Sequence, residues 1–433
     1  MRSYYPYRRK SKWKSALPFV LAGIVLIAVA VTIFFLLNRT AVPASAPVAS
    51  SSSEASSETS SEAPPSSAES SGNPVSSQAS SAPAVDESNY VAYTGPIEHI
   101  FFHPLVAYPE LAFDGDAQAK GMDDYMTTAT EFQRVLEELY RNDYILVDPS
   151  QLYGEPDESD DSGKTYVKKT LKLPPGKKPV IISVDDVNYY DYMRENGCNY
   201  KLVVGSDGHI AAMVKNPQTG KEEIRTDTEV FPMINEFLKK HPDFSYRGAK
   251  AVVGLTGYSG ILGYRTQVGS PNRESEIEAV KPVIECLKRD GFTFASHSYA
   301  HGHMSKKGVD YMTNDCQMWK DEVESLVGKT NVYLFPYGEY PKIGSEPFNV
   351  LLQYGFQHIS GVGINVYQKM YDGYLFNDRK NIDGITLRKC LEQGPDYIKP
   401  NGKEAVQNQV WDMMDVEYVF DKCRGDTPGE GSL

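Results

Sequence analysis

Cysteine is scarce in this chain. Its 433 residues include five, Cys198, Cys286, Cys316, Cys390 and Cys423, and no two of them stand as C-x-x-C. An odd number at such spacing points away from a structural zinc site, and buried free thiols are expected rather than disulfides. Positive charge is also short, at 44 Lys and Arg against 57 Asp and Glu. The shortage lies after residue 88. Residues 1–88 hold seven basic and six acidic side chains, so the rest carries −14 of the net −13. A domain that acidic is a poor partner for nucleic acid or anionic lipid, whose phosphates want clustered Lys and Arg.

Two further absences divide the chain. Charge is missing from residues 16–37, 22 residues long enough to cross a bilayer as a helix. Arg2, Arg8, Arg9, Lys10, Lys12 and Lys14 precede that run without an acid. They predict a cytoplasmic amino terminus (1–15), a transmembrane signal anchor (16–37) and everything after Arg39 outside the cell. The apolar run is long for a cleaved signal peptide, and its nearest small-residue site, Ala44-Ser45-Ala46, is followed by Pro47. Large apolar side chains are nearly missing from residues 38–88, which are Ser, Ala, Pro and Glu. Such a segment cannot bury enough surface to offset ordering, so a disordered linker is expected. It would reach on the order of 40 Å.

What remains, residues 89–433, alternates strands and helices. Strands are expected at 97–102, 144–147, 180–184, 249–255, 292–295, 332–335, 357–360 and 385–388. Thr128-Ala129-Thr130-Glu131 reads as a capping box, with Phe132, Val135, Leu136, Leu139 and Tyr140 as the stripe of its helix. Further helices are expected behind Val230, Ile234, Phe237 and Leu238, near 275–289, and over 315–327. Residues 188–226 look like an insertion with a hairpin, 201–204 against 210–214 around Ser206-Asp207-Gly208. The fold class is α/β, a (β/α)-barrel-like domain with its site in the loops at the strand ends.

Two stretches carry chemistry. The apolar run 180–184 ends in Asp185 and Asp186, which diverge because successive strand residues face opposite ways. One acid can bind a metal while the other handles a proton; the plainer alternative is a turn. After the strand at 292–295 come His297 and His301. Two His four apart lie on one face of a helical turn and can share a metal ion. With Asp186 they make a His-His-carboxylate set that leaves positions for water and substrate. His303 is the alternative ligand, but i,i+2 neighbours point apart on a helix.

Ser183-Val184-Asp185-Asp186 resembles the T-F-D-D motif of the polysaccharide deacetylases, the NodB-homology enzymes of carbohydrate esterase family 4. The stretch from Gly291 to His301 is similar to their G-x-x-I-x-x-H-[ST]-x-x-H motif, and Leu334-Phe335-Pro336-Tyr337-Gly338 to their R-x-P-Y-G motif. The motifs keep the family's order, and the resemblance spans roughly residues 97 to 390. It implies Asp185 as general base, with Asp186, His297 and His301 holding a divalent metal, Zn²⁺ above all. It also implies the Tyr337 backbone N–H at the oxyanion and an N-acetylated polysaccharide as substrate. The chain departs from the pattern at Val187, where Gly often follows the Asp pair, and at Leu334, where Arg is usual. No L-x-H strand stands near the carboxyl end to supply the usual catalytic acid. One branch of the family carries that motif at the front as Y-H-x-[IV], much like Phe102-His103-Pro104-Leu105 here. The same branch tends to read F-x-Y-P-Y-G, much like Tyr333 to Gly338. His103 is therefore the implied general acid, with His358 its rival. An inert wall-binding module on the same fold and a glycoside hydrolase are the competing readings; the latter leaves the His pair unexplained.

Overall fold

The computed structural model describes residues 87–156, 163–395 and 410–425. The basic tail, the apolar run at 16–37 and nearly all of the linker lie outside the described residues. Among the described residues no helix is long and apolar enough to cross a membrane.

Seven parallel strands form a closed ring: β1 (Glu98–Phe102), β2 (Lys178–Val184), β3 (Ala251–Leu255), β4 (Thr293–Ser296), β5 (Val332–Leu334), β6 (His358–Val362) and β7 (Tyr374–Asn381). Each of the first six pairs in parallel with the strand that follows it in this order. β7 in turn pairs with β1 through Lys380 with Ile100 and Asn381 with Phe101, closing the ring between the last strand and the first. The expected strand at 144–147 appears as Tyr144–Leu146, beside the start of β2 and outside the ring. Gln368–Tyr371 adds an antiparallel hairpin arm to β7.

The principal helices are α1 (Ala119–Tyr125), α2 (Ala129–Arg141), α3 (Val230–Lys240), α4 (Arg273–Arg289), α5 (Val309–Trp319), α6 (Glu346–Gln353) and α7 (Gly384–Gln393). The capping box of α2 forms as expected: Thr128 accepts from the Glu131 N–H while Glu131 accepts from the Thr128 N–H. Its apolar stripe is fully buried from Phe132 to Leu139. The insertion is a three-stranded antiparallel sheet, Lys201–Val204, Ile210–Lys215 and Glu222–Arg225, one strand more than the hairpin expected. All five cysteines are free, and four of them are buried.

Two elements differ from the sequence reading. Residues 385–388 are not a strand but part of α7, whose Asp383 N-cap accepts from the Thr386 N–H at 2.8 Å. The strand that closes the barrel is instead β7. The helix expected at 315–327 begins six residues earlier, at Val309, and passes through a π turn at Lys320–Glu324 before ending at Val327.

Alternation along the strands sorts the core into two shells. Outward residues such as Ile100, Ile182, Val253 and Phe376 pack against the helices. Inward residues Ile181, Val252, Ala295, Val332 and Leu375 fill the barrel with Tyr153, Tyr166 and Leu173. Toward the carboxyl ends of the strands the lining turns polar. Ser360 donates to Asn377 (2.7 Å), Asn377 meets the His99 ring (3.1 Å), and His99 meets Ser183 (3.0 Å). Burial pushes the His99 imidazole well below its ordinary pKa, so the ring is neutral. This polar column leads up to Asp185.

Candidate active site

The two acids leave β2 in different directions. Asp185 continues the strand and faces inward, its N–H donating to the Phe102 carbonyl at 2.8 Å. Arg379, on β7 and completely buried, grips both of its oxygens: Nη1 to Oδ1 at 2.7 Å and Nη2 to Oδ2 at 2.9 Å. Nη1 also donates to Ser183 Oγ. Burial alone would raise the Asp185 pKa, but the guanidinium holds the carboxyl well below the usual carboxylate range. Asp185 is therefore ionised at neutral pH. Gly254 on the adjacent strand β3 makes room for it, since a Cβ there would meet the Val184 carbonyl at 2.8 Å and Asp185 Oδ1 at 3.2 Å.

Asp186 turns away through a left-handed backbone (φ 56°). Its Oδ1 accepts from the Tyr190 hydroxyl at 2.9 Å, and its Oδ2 lies 3.5 Å from His301 Nε2. His297 follows β4 and aims Nε2 at the acids, 3.8 Å from Asp185 and 4.0 Å from Asp186. Its Nδ1 sits 2.9 Å from the Leu334 carbonyl, which can only accept, so that nitrogen carries the proton and Nε2 presents a lone pair. Burial pushes the His297 pKa down to about 4 against the pull of the two Asp, keeping the ring in the neutral, ligating form.

The sequence reading set His297 and His301 on a helical turn. They are on a loop. Ser298 and His301 both take left-handed backbone (φ 58° and 50°), and Ser298 Oγ accepts from the His301 N–H. Buried Asp315 on α5 accepts from the N–H groups of Tyr299 and Ala300, both at 2.9 Å. That bend brings the rings to 5.0 Å between centroids. The ligand atoms of Asp186, His297 and His301 all lie within 4.8 Å of one another. One carboxylate oxygen and two imidazoles at this spacing fit a divalent ion of the zinc type.

The remaining predicted residues distribute as follows. His103 follows β1 and lines the same cleft as Asp185, Asp186, His297, His301 and Tyr337, a space of about 690 Å³. Its Nδ1 sits 3.0 Å from the Tyr125 carbonyl at the end of α1, which makes Nδ1 the donor and leaves Nε2 free. Tyr337 sits in left-handed backbone (φ 57°), with its exposed ring edge-on to His301 at 4.5 Å and stacked on His303 at 4.3 Å. His303 is bound by Glu339 and stands apart from the ligand set. His358 is buried at the start of β6 against Tyr153 and His99, with no hydrogen-bond partner at either nitrogen. It is not in the cleft. Leu334 offers its carbonyl to His297, and Val187 is fully buried, its N–H on the Gly254 carbonyl. Arg379 is the site residue that sequence reasoning missed: the expected guanidinium at position 334 is absent, and one arrives from β7 instead.

Of the eight non-glycine residues with positive φ among those described, Asp186, Tyr189, Ser298, His301 and Tyr337 cluster here. Left-handed backbone costs an ordinary residue roughly 1–2 kcal/mol, and such strain gathers where geometry is dictated by function. A larger depression of about 810 Å³ lies by Phe292, Thr330 and Asn331 at the opposite, amino ends of β4 and β5, away from these groups.

The resemblance to polysaccharide deacetylases holds over part of the chain. Residues 268–358 match the family model for polysaccharide deacetylase. That span includes the His297–His301 and Pro336–Gly338 motifs, while Asp185, Asp186 and His103 lie before it. No curated protein matches. Among solved structures, the Streptococcus pyogenes deacetylase PplD in complex with acetate is 14% identical, covering 75% of this chain and all of that one, with a TM-score of 0.40. BA3943 of Bacillus anthracis, a carbohydrate esterase family 4 pseudoenzyme, is 18% identical over 30% of this chain and 37% of its own, with a TM-score of 0.21.

Proposed function

We propose that this chain is a metal-dependent polysaccharide N-deacetylase, releasing acetate from an N-acetylated glycan. The observation that carries the reading is the convergence of Asp186, His297 and His301 beside an ionised Asp185, with His103 lining the same cleft.

In this reading Asp186, His297 and His301 would hold a divalent metal, with the Tyr190 hydroxyl fixing the carboxylate of Asp186. A divalent ion bound there supplies charge to polarise the acetyl carbonyl and to ease deprotonation of the attacking water. Asp185 takes the water's proton; Arg379 keeps the carboxylate ionised and oriented to receive it. The backbone N–H of Tyr337 shares the charge that develops on the carbonyl oxygen. As the C–N bond breaks, His103 as imidazolium donates its Nε2 proton to the leaving nitrogen, while the Tyr125 carbonyl holds the ring through Nδ1. Acetate and the free amine depart.

The full-length protein is expected to bind one equivalent of Zn²⁺ and to release acetate from at least one N-acetylated glycan in a panel, with chelator stopping release. H297A or D186A should lose the metal. Absence of stoichiometric metal after reconstitution would overturn the site assignment. Acetate release unaffected by chelation would overturn metal dependence.

We also propose that the domain works outside the cell on a membrane anchor, from the charge asymmetry around residues 16–37. Fractionation should find the chain in the membrane and its domain open to external protease. Recovery of a soluble form beginning after Ala46 would sink that assignment.

A further inference from the structure

The carbonyl that orients His103 belongs to a turn held from the far end of the chain. His103 donates from Nδ1 to the Tyr125 carbonyl, and Tyr125 ends α1, which forms one wall of the cleft through Gly121, Met122 and Tyr125. That helix has little of its own to hold it. It is seven residues long and no side chain caps it. Met122 and Met126 pack with Ala112, Phe113 and Met193 in a small cluster separate from the main core. The residues after the turn are tied down by backbone, the Val106 N–H to the Thr127 carbonyl (2.9 Å) and the Ala129 N–H to the Val106 carbonyl (3.0 Å). The stretch from Asp123 to Met126 is secured differently, by Arg424.

Arg424 is completely buried, and so are Asp123 and Glu131, the two acids it meets. Nη1 donates to the Asp123 carbonyl at 2.8 Å and to its carboxylate at 3.0 Å, and Nη2 donates to the Met126 carbonyl at 2.5 Å. One guanidinium thus fixes the residues on either side of Tyr125. Nε and Nη2 also fork onto Glu131, both at 2.7 Å. Glu131 is the capping-box residue of α2 and accepts from the Asp421 N–H at 3.0 Å. Arg388 on α7 supplies the second cation, donating to both Asp123 oxygens at 2.9 Å. Asp421 directs its own carboxylate to Thr128 and the Cys423 N–H. A planar fork reaches all these acceptors together, which a lysine ammonium cannot do. Three of the bonds end beside the carbonyl that sets the tautomer and aim of His103.

We propose that Arg424 is a positioning residue for His103, so that the carboxy-terminal segment is needed to place the acid that protonates the leaving nitrogen. The proposal rests on the deacetylase reading for what His103 protonates. When an N-acetyl amide is cleaved the C–N bond breaks, and the nitrogen keeps the electron pair and must take a proton with it. A nitrophenyl acetate loses its C–O bond to the same attack by water, and the stable phenolate leaves with the pair and needs no proton. Displacing His103 therefore penalises the amide more than the ester, whereas general loosening penalises both alike.

In full-length R424K, acetate release from N-acetylglucosamine oligomers should fall about ten-fold more than release from nitrophenyl acetate, with amide KM within about two-fold of wild type. Zinc content should match wild type. E131Q keeps a capping-box residue but gives Arg424 a single uncharged acceptor, and should show the same pattern at smaller size. Its arms are the same, so the test stands even where R424K does not fold. Adding R424K to H103A should cost nothing further on the amide, since both act through one imidazole. One measurement needs no turnover. In nitrogen NMR of labelled histidine, the Nδ1–H of His103 is identified among the eight histidines by its loss in H103A. It should be protected from exchange in wild type and unprotected in R424K. Equal losses on amide and ester, losses that multiply in the double variant, or an unchanged His103 signal would overturn the positioning role. If wild type releases no acetate from any glycan while R424K still loses the His103 signal, the positioning role stands and the deacetylase reading falls.

Discussion

D185N should release acetate at least about a hundred-fold more slowly than wild type while keeping its metal, the scale of a lost general base. Asparagine preserves shape but cannot accept the water's proton, and Asp186, His297 and His301 remain to hold the ion. The structure adds a second consequence. Arg379 is completely buried with its guanidinium on Asp185, so the amide leaves a buried cation without its counter-charge. D185N should therefore also unfold more readily, and its metal content must be measured well below its unfolding midpoint. H103A provides the contrast, because it leaves the Asp185–Arg379 pair whole. Its kcat should drop on the order of a hundred-fold with KM little changed, since protonating the leaving nitrogen matters chiefly in the transition state. An active D185N would remove Asp185 from the chemistry. Unchanged turnover in H103A would do the same for His103.

R379M should cost about 3–5 kcal/mol of stability at pH 7, the range for a buried charge stripped of its partner. The pH dependence identifies the cause. In the wild type the Asp185 pKa is depressed, so its contribution to stability is present above the unfolded carboxylate value and is lost only as pH falls through the lower folded value. Without the guanidinium, burial is left to raise that pKa. Folding of the variant then weakens as pH rises from about 4 toward the raised value. The gap between R379M and wild type should thus narrow on acidification, and the acid limb of activity should move to higher pH. Pairing the change with D185L should restore much of the stability and none of the activity. A deficit in R379M that is constant from pH 7 to pH 5 would mean that packing, not charge, is what Arg379 supplies.

The parts of the fold legible in the sequence are those where burial writes a period. β2 is an unbroken apolar run, and α2 announces itself by a capping box and a stripe. β7 was missed because the barrel is polar inside near the site. Its inward positions there are Asn377 and Arg379, so the strand reads as a loop with aromatic residues at its start. The opposite error at 385–388 has the complementary cause. Ile385, Thr386 and Leu387 favour strands by type, and only the Asp383 cap marks the helix. The metal set was found through a four-residue spacing that suits a helix, yet left-handed residues in a loop bring the same two rings together. Arg379 could not be read at all. It stands 194 residues from Asp185, and nothing local to either strand encodes their meeting.

The closure of the ring between β7 and β1 also sets an order in time. Synthesis delivers β1 and His103 first, but β1 can gain its second neighbour only once residues 374–381 have emerged. Until then a row of backbone donors and acceptors on the earliest strand is unpaired, and Asp185 is buried in prospect without its counter-ion. Closing so long a loop is slow and sensitive to topology. The chain thus joins His103, Asp185 and the counter-charge of Arg379 only when β7 docks, and a nascent or truncated domain that stops short of β7 carries most residues of the candidate site without a closed barrel to hold them.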